Sequence, residues 1–252
     1  MRTKLVVGNW KLNGSLAGNE ALLKAVQAGV SAAKDRICAV CVPYPYLAQM
    51  GTLLRGTAIA WGSQDVSRHE KGAYTGEVSG AMVAESGARF AIVGHSERRS
   101  MFGETDSIVA DKFAAARKAG LTPIFCVGET LAEREAGITE SVLARQVDAL
   151  LAKQGVATLG EAVVAYEPVW AIGTGKTATS AQAEEAHAFI RARIAAQDAG
   201  VAGRLPILYG GSVKGSNAAE LFGMPNVDGG LVGGASLAAE DFIAIWRAAV
   251  AA

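Results

Sequence analysis

Only three cysteines occur in 252 residues, Cys38, Cys41 and Cys126. The number is odd and too small for a disulfide framework. Cys38 and Cys41 form a C-x-x-C, but inside the apolar run 37–42. Redox pairs of that spacing sit at a helix start, and a zinc site needs further ligands nearby, so both are expected as core side chains. Net charge is also lacking: 24 Lys and Arg balance 24 Asp and Glu. A duplex-binding protein shows a basic excess, so no nucleic-acid partner is expected. No apolar run reaches the roughly 18 residues of a membrane span, and the opening MRTKLVVGNWK is too short in its apolar part for a signal peptide. The expectation is a cytoplasmic protein with no membrane partner. Linkers are missing too. With 50% hydrophobic and 19% charged residues and no Pro/Ser-rich break, the economical reading is one domain over 1–252.

What is present is a repeated unit. Short apolar, β-branched runs fall at 4–9, 37–42, 58–62, 90–94, 122–127, 162–166, 206–209 and 229–232, mostly followed by alanine-rich helical stretches. The runs are continuous rather than alternating, as in strands buried on both faces. The stretch 181–197 shows the helical half: Ala183, Ala186, Ile190 and Ile194 recur at intervals of three and four, with Glu184, Glu185, Arg191 and Arg193 on other faces. Thr179 and Gln182 read as its capping box. Alternating strands and helices imply parallel pairing, and eight units in a chain this long suit a closed (β/α)8 barrel of parallel strands ringed by helices. A doubly wound open sheet is the alternative.

A barrel carries its chemistry at the C-terminal ends of its strands. Polar residues stand there: Asn9-Trp10-Lys11 after the first run, Gly94-His95-Ser96-Glu97 after the fourth, Glu167 after the sixth, Gly210-Gly211-Ser212 after the seventh and Gly233-Gly234 after the eighth.

The stretch EPVWAIGTGKTA, 167–178, imitates a nucleotide loop. A Walker A loop needs a glycine five positions before the glycine of its Gly-Lys-Thr, where this chain has Trp170. The looser dinucleotide pattern is met by Gly173, Gly175 and Ala178, yet Pro168 breaks the strand early and Asp198 falls at a helix end. No nucleotide cofactor is expected, and no metal.

NWK at 9–11, AIVGHSERR at 91–99, YEPVWAIGTGKTAT at 166–179, YGGSV at 209–213 and VDGGLVGGASL at 227–237 resemble the triosephosphate isomerase family. The motifs are long, keep the family's order and span nearly the whole chain. The resemblance implies the TIM barrel, and isomerisation of dihydroxyacetone phosphate and D-glyceraldehyde 3-phosphate through an enediolate, in glycolysis and gluconeogenesis. It implies Glu167 as base, made stronger by burial, and His95 as a neutral N–H donor whose pKa a helix N-terminus depresses. That pairing of roles is the handling of this enzyme in general accounts of pKa tuning. Lys11 and Asn9 would stabilise the anionic enediolate, with Glu97 paired to the lysine. The phosphate would rest on the backbone N–H groups of Gly173, Ser212, Gly233 and Gly234. Pro168, Val169 and Trp170 would hinge a lid with Ala171, Ile172, Gly173, Thr174 and Gly175 as its tip and Lys176, Thr177 and Ala178 as its far hinge. Closure would expel water and protect the enediolate from losing its phosphate. Thr75, in EKGAYTGE, would reach a partner subunit near its Asn9 and Lys11, so a homodimer is implied. His69 and His187 match no family site and are expected to be structural.

Two positions depart from the family's habit. Asp65 replaces a frequent asparagine and adds a charge close to the implied interface; Ala238 replaces a common lysine. Two other readings compete. A Schiff-base lyase on the same barrel would favour a lysine inside a strand, and no strand interior contains one. A non-catalytic homologue would not need Asn9, Lys11, His95 and Glu167 together.

Overall fold

The computed structural model describes residues 2–173 and 177–250. Eight strands, β1 (Lys4–Asn9), β2 (Arg36–Val42), β3 (Ile59–Ser63), β4 (Phe90–Val93), β5 (Thr122–Val127), β6 (Val163–Tyr166), β7 (Ile207–Tyr209) and β8 (Gly229–Val232), pair in chain order as a closed parallel barrel. The open-sheet alternative is excluded by the last pairing, in which β8 lies beside β1 with Leu5 opposite Gly229 and Gly8 opposite Val232. Gly229 has φ +124°, and a Cβ there would collide with the carbonyl of Leu5, so closure depends on glycine at this position.

The strands lie within a residue of the runs read from sequence. Their side chains alternate between two apolar clusters. Leu5, Val7, Cys41, Ile92, Cys126 and Ala165 fill the barrel. Val6, Cys38, Val40, Val93 and Val164 face outward to the helices. Cys38 and Cys41 therefore sit on opposite faces of β2, since three positions along a strand reverse the face. Both are buried and free, and burial raises the Cys38 thiol to about 12.

The longer helices cover the sheet with apolar stripes. Ser180–Ala195 buries Ala183, Ala186, His187, Ile190 and Ile194, and begins with the expected box: Gln182 N–H donates to Thr179 Oγ1 at 3.1 Å, and Thr179 N–H to Gln182 Oε1 at 3.0 Å. Losing such a cap costs about 1 kcal/mol. Helices run back toward the strand starts, so every strand's C-terminal end opens on one rim, where the polar residues gather.

Candidate active site

His95 follows β4 and caps the helix Ser96–Phe102. Its Nδ1 accepts the backbone N–H of Glu97 at 3.2 Å. That bond fixes the proton of the neutral ring on Nε2, the nitrogen facing the cavity. Nε2 lies 2.9 Å from Oε1 of Glu167, the residue after β6. Glu167 is 2% exposed. Its Oε2 accepts the backbone N–H of Ser96 at 2.9 Å, and the Ser96 hydroxyl lies 3.4 Å from Oε1. The first turn of one short helix thus orients both the imidazole and the carboxylate.

The net pKa directions reverse those expected from sequence. Burial does push the Glu167 carboxyl up, but His95, the Ser96 N–H and Lys11 outweigh it and hold the group below the ordinary carboxylate range. Burial likewise lowers the His95 imidazole, and the neighbouring Glu167 carboxylate overturns this, raising it. Sequence exposes the burial but not the contact, and at 2.9 Å in a water-poor site the contact wins.

Two glycines let Glu167 in. A Cβ on Gly128, after β5, would collide with the Glu167 carbonyl, and one on Gly210, after β7, would stand 2.9 Å from Glu167 Cγ.

Lys11 has φ +53° and is the only non-glycine residue with positive φ among those described. Such a backbone costs on the order of 1–3 kcal/mol and marks a position held for its side chain. Its N–H donates to Asn9 Oδ1 at 3.1 Å. Its Nζ donates to Glu97 Oε1, the pairing implied by the resemblance.

Asn9, Lys11, His95, Glu167, Ile172, Gly173, Ser212, Gly233 and Gly234 line one cavity of about 290 Å³. That is at the small end for ligand sites, the size for a metabolite rather than a dinucleotide. The wall also holds small residues, Gly210, Gly211, Ser212, Gly233 and Gly234. Lys214 also lines it, a cation the sequence reading gave no role.

The chain leaves β6 through Pro168 into a 3-10 turn, Val169–Ala171. Buried Glu129, beyond β5, clasps this turn. Glu129 Oε1 accepts from Trp170 Nε1 at 2.9 Å and from Tyr166 Oη at 3.1 Å, and the Glu129 carbonyl accepts the Val169 N–H at 3.1 Å. Arg134 stacks 4.7 Å over the Trp170 ring. The Ser212 hydroxyl donates to the Ala171 carbonyl at 3.3 Å. Thr174, Gly175 and Lys176 lie outside the described residues.

Neither Ser96 nor Glu129 was singled out from sequence. Ser96 lay inside the quoted GHSERR, but its partner is 71 residues away. His187 is buried against Tyr166 and Tyr209, and His69 stacks on Tyr74, both away from the cavity. Lys4 opens β1 and is buried, but its Nζ donates to the carbonyls of Phe222 at 2.8 Å and Val227 at 2.6 Å, at the far end of the barrel. It offers no amine for a Schiff base at this rim. Thr75 is exposed and does not line this cavity.

A family model described as Triosephosphate isomerase matches residues 4–249. The chain belongs to the triosephosphate isomerase family. Among its relatives, the triosephosphate isomerase of Thiobacillus denitrificans is 61% identical over 249 residues, covering 99% of each chain. That of Dechloromonas aromatica is 60% identical over 249 residues, covering 99% of this chain and 100% of its own. That of Ralstonia nicotianae is 63% identical over 248 residues, covering 98% and 99%. Membership in the triosephosphate isomerase family agrees with the closed barrel and with the eight strand ends meeting on one rim.

Proposed function

We propose that this chain interconverts dihydroxyacetone phosphate and D-glyceraldehyde 3-phosphate through an enediolate, an intramolecular oxidoreduction belonging to glycolysis and gluconeogenesis. The observation that carries the reading is the buried Glu167 carboxylate facing His95 Nε2 across 2.9 Å in a cavity that Asn9, Lys11, Gly173, Ser212, Gly233 and Gly234 also line. Glu167 removes the proton on the carbon beside the substrate carbonyl and returns it to the neighbouring carbon. A positioned base of this kind supplies about 10²–10⁴-fold. The carbonyl oxygen becomes anionic as the proton leaves, and His95 Nε2–H, Lys11 Nζ and Asn9 donate to it. One such donor is worth roughly 2.7–4 kcal/mol. Glu97 holds Lys11 in place. The N–H groups of Gly173, Ser212, Gly233 and Gly234 take the phosphate, where dipoles bind a dianion without a buried countercharge. The segment 168–176 closes over it as a lid, hinged on the Glu129 clasp.

The test is turnover of D-glyceraldehyde 3-phosphate by the purified chain in deuterated water. The reading requires ketose product carrying solvent deuterium on the carbon that accepts the proton. No interconversion of either triose phosphate contradicts it.

The working form is a homodimer, with the whole chain, 1–252, acting as one barrel domain in the cytoplasm. Supporting the dimer, Leu12, Phe102, Met82 and Tyr74 are 96%, 67%, 58% and 44% exposed. A second cavity of about 350 Å³ beside Asn9 and Lys11, walled by Leu12, Tyr44, Gln64, Glu97 and Phe102, suits Thr75 of a partner subunit. Asp65 also lines it, but its charge is met internally: Lys112 Nζ lies 2.7 Å from both carboxylate oxygens and an Arg98 nitrogen 3.0 Å from one. Sedimentation equilibrium of wild type and Thr75→Arg tests this, since a monomeric wild type contradicts it. Ala238 is exposed, as suits a neutral surface change.

A further inference from the structure

At the opposite end of the barrel, around the starts of β2, β3 and β4, a separate cavity of about 410 Å³ opens to solvent. Arg36, Arg55 and Arg89 line it, and no Asp or Glu does. Arg36 is the first residue of β2, and Arg89 immediately precedes β4. These strands flank β3, so the two residues stand on either side of its foot. Arg55 caps the C-terminus of the helix Leu47–Leu54.

In a chain whose 24 cationic and 24 acidic residues balance, an acid-free arginine trio concentrates positive potential locally. The dipole of a helix C-terminus accounts for Arg55. It does not account for Arg36 or Arg89, which stand at strand starts. Among the described residues, the Arg89 guanidinium has only the Phe90 ring, 5.1 Å away, and the Arg55 guanidinium has no hydrogen bond or ion pair. Arg36 is already engaged: Asp35 lies 3.9 Å from its Nε, its Nη1 donates to the Arg247 carbonyl at 3.2 Å, and its guanidinium stacks 4.5 Å over the Trp246 ring.

One more donor in the same wall lacks an acceptor. Trp61 Nε1 is buried with no hydrogen-bond partner among the described residues. Trp61 is 8% exposed. Its Cζ2 edge, the side of the indole that carries Nε1, lies at Gly87: a Cβ on Gly87 would stand 2.9 Å from Cζ2 and 3.9 Å from Arg55 Nη2. Indole edge and guanidinium thus converge on one spot that glycine leaves open. Unmet donors facing no acidic side chain favour an anion, and the guanidinium fork matches phosphate oxygens in pairs.

We propose that this cavity binds the pyrophosphate group of a small oligophosphate, at a site separate from the triose phosphate cavity. The two uncommitted guanidinium forks, Arg55 after a helix and Arg89 before β4, each match one phosphate, which favours two linked phosphates over one.

Calorimetric titration of the full-length wild type and of the Arg55→Ala/Arg89→Ala double variant with inorganic pyrophosphate tests it. Both arginines are exposed, so the variant keeps its fold, which circular dichroism checks. The expected result is saturable binding to wild type and a loss of affinity of about tenfold or more in the double variant, the range for removing charged phosphate contacts. Arg55→Lys/Arg89→Lys, which keeps the charge without the fork, falls between them. Isomerase kcat and KM of both variants stay at wild-type values, which separates this site from the catalytic reading. A parallel titration with ADP identifies the source: tighter binding than pyrophosphate indicates a nucleoside phosphate, equal binding the phosphates alone. No pyrophosphate binding to wild type, or equal affinity in wild type and the double alanine variant, overturns the proposal.

Discussion

His95 Nε2 and Glu167 Oε1 lie 2.9 Å apart, on residues 6% and 2% exposed. A substrate carbonyl seated between them has to part this contact. That contact is the strongest of the influences holding the Glu167 carboxyl low, so once it parts, burial is opposed only by the Ser96 N–H and Lys11 and makes the carboxylate a stronger base. The free protein therefore stores its base in a weak form. We expect carbon-13 NMR of the Glu167 carboxyl to show titration below the ordinary carboxylate range in the free protein, and a rise when a planar enediolate-like phosphate ligand binds. An unchanged or lower value on binding contradicts this.

The position of that carboxylate rests on glycine. A methyl group at Gly210 would meet Glu167 Cγ at 2.9 Å and the Tyr166 carbonyl at 3.0 Å, so something must shift. Gly210→Ala is expected to keep its circular dichroism and lose kcat by about a hundredfold, the order expected of a base displaced by about 1 Å. Wild-type kcat in a folded Gly210→Ala protein contradicts the packing argument.

The strands were legible because burial on both faces writes them as unbroken apolar runs. β2 begins one residue early, at Arg36, because that guanidinium stacks 4.5 Å over the Trp246 ring and a charged residue can still lie along the sheet. Asn9, Lys11, His95 and Glu167, which line one cavity, could be singled out because their neighbours form long ordered motifs. The contacts of Ser96 with Glu167 and of Glu129 with Trp170 were not, since they join residues 71 and 41 positions apart. The sign of the His95 and Glu167 pKa shifts was hidden for the same reason: burial is written in local composition, whereas a 2.9 Å contact exists only after folding.

Asp65 shows the same limit at a position read from sequence only as an added charge. It joins Lys112, Arg98 and Glu104 in a quartet of two cations and two anions. Burial raises its carboxyl in spite of Lys112, so the arrangement is poised rather than strongly favourable. Removing one member leaves a buried charge in excess, which costs about 3–5 kcal/mol. Asp65→Ala is expected to lose stability on that order in urea unfolding at fixed protein concentration, and Asp65→Asn, which keeps an acceptor, less. A loss under about 1 kcal/mol in Asp65→Ala contradicts the role, being the range of exposed pairs.

His187 sets an acid limit on stability. Burial lowers its imidazole from 6.5 to about 3, so between those values the unfolded chain takes up a proton that the folded protein refuses. Stability from this group is present above 6.5 and is lost as pH falls toward 3. Between pH 7 and 5 the loss is about 2 kcal/mol. His187→Gln is expected to be less stable at neutral pH, yet to show a decline over that interval shallower by about this amount. Parallel declines in the two proteins contradict the assignment.

The central claim is that Glu167 moves the substrate proton, and it is tested by a coupled assay with D-glyceraldehyde 3-phosphate on wild type and Glu167→Gln. The swap is nearly isosteric and keeps an acceptor for the Ser96 N–H. We expect kcat to fall by roughly 10²–10⁴-fold or more, the range for a positioned base, with the unfolding transition retained. Equal kcat in the two folded proteins would contradict the account.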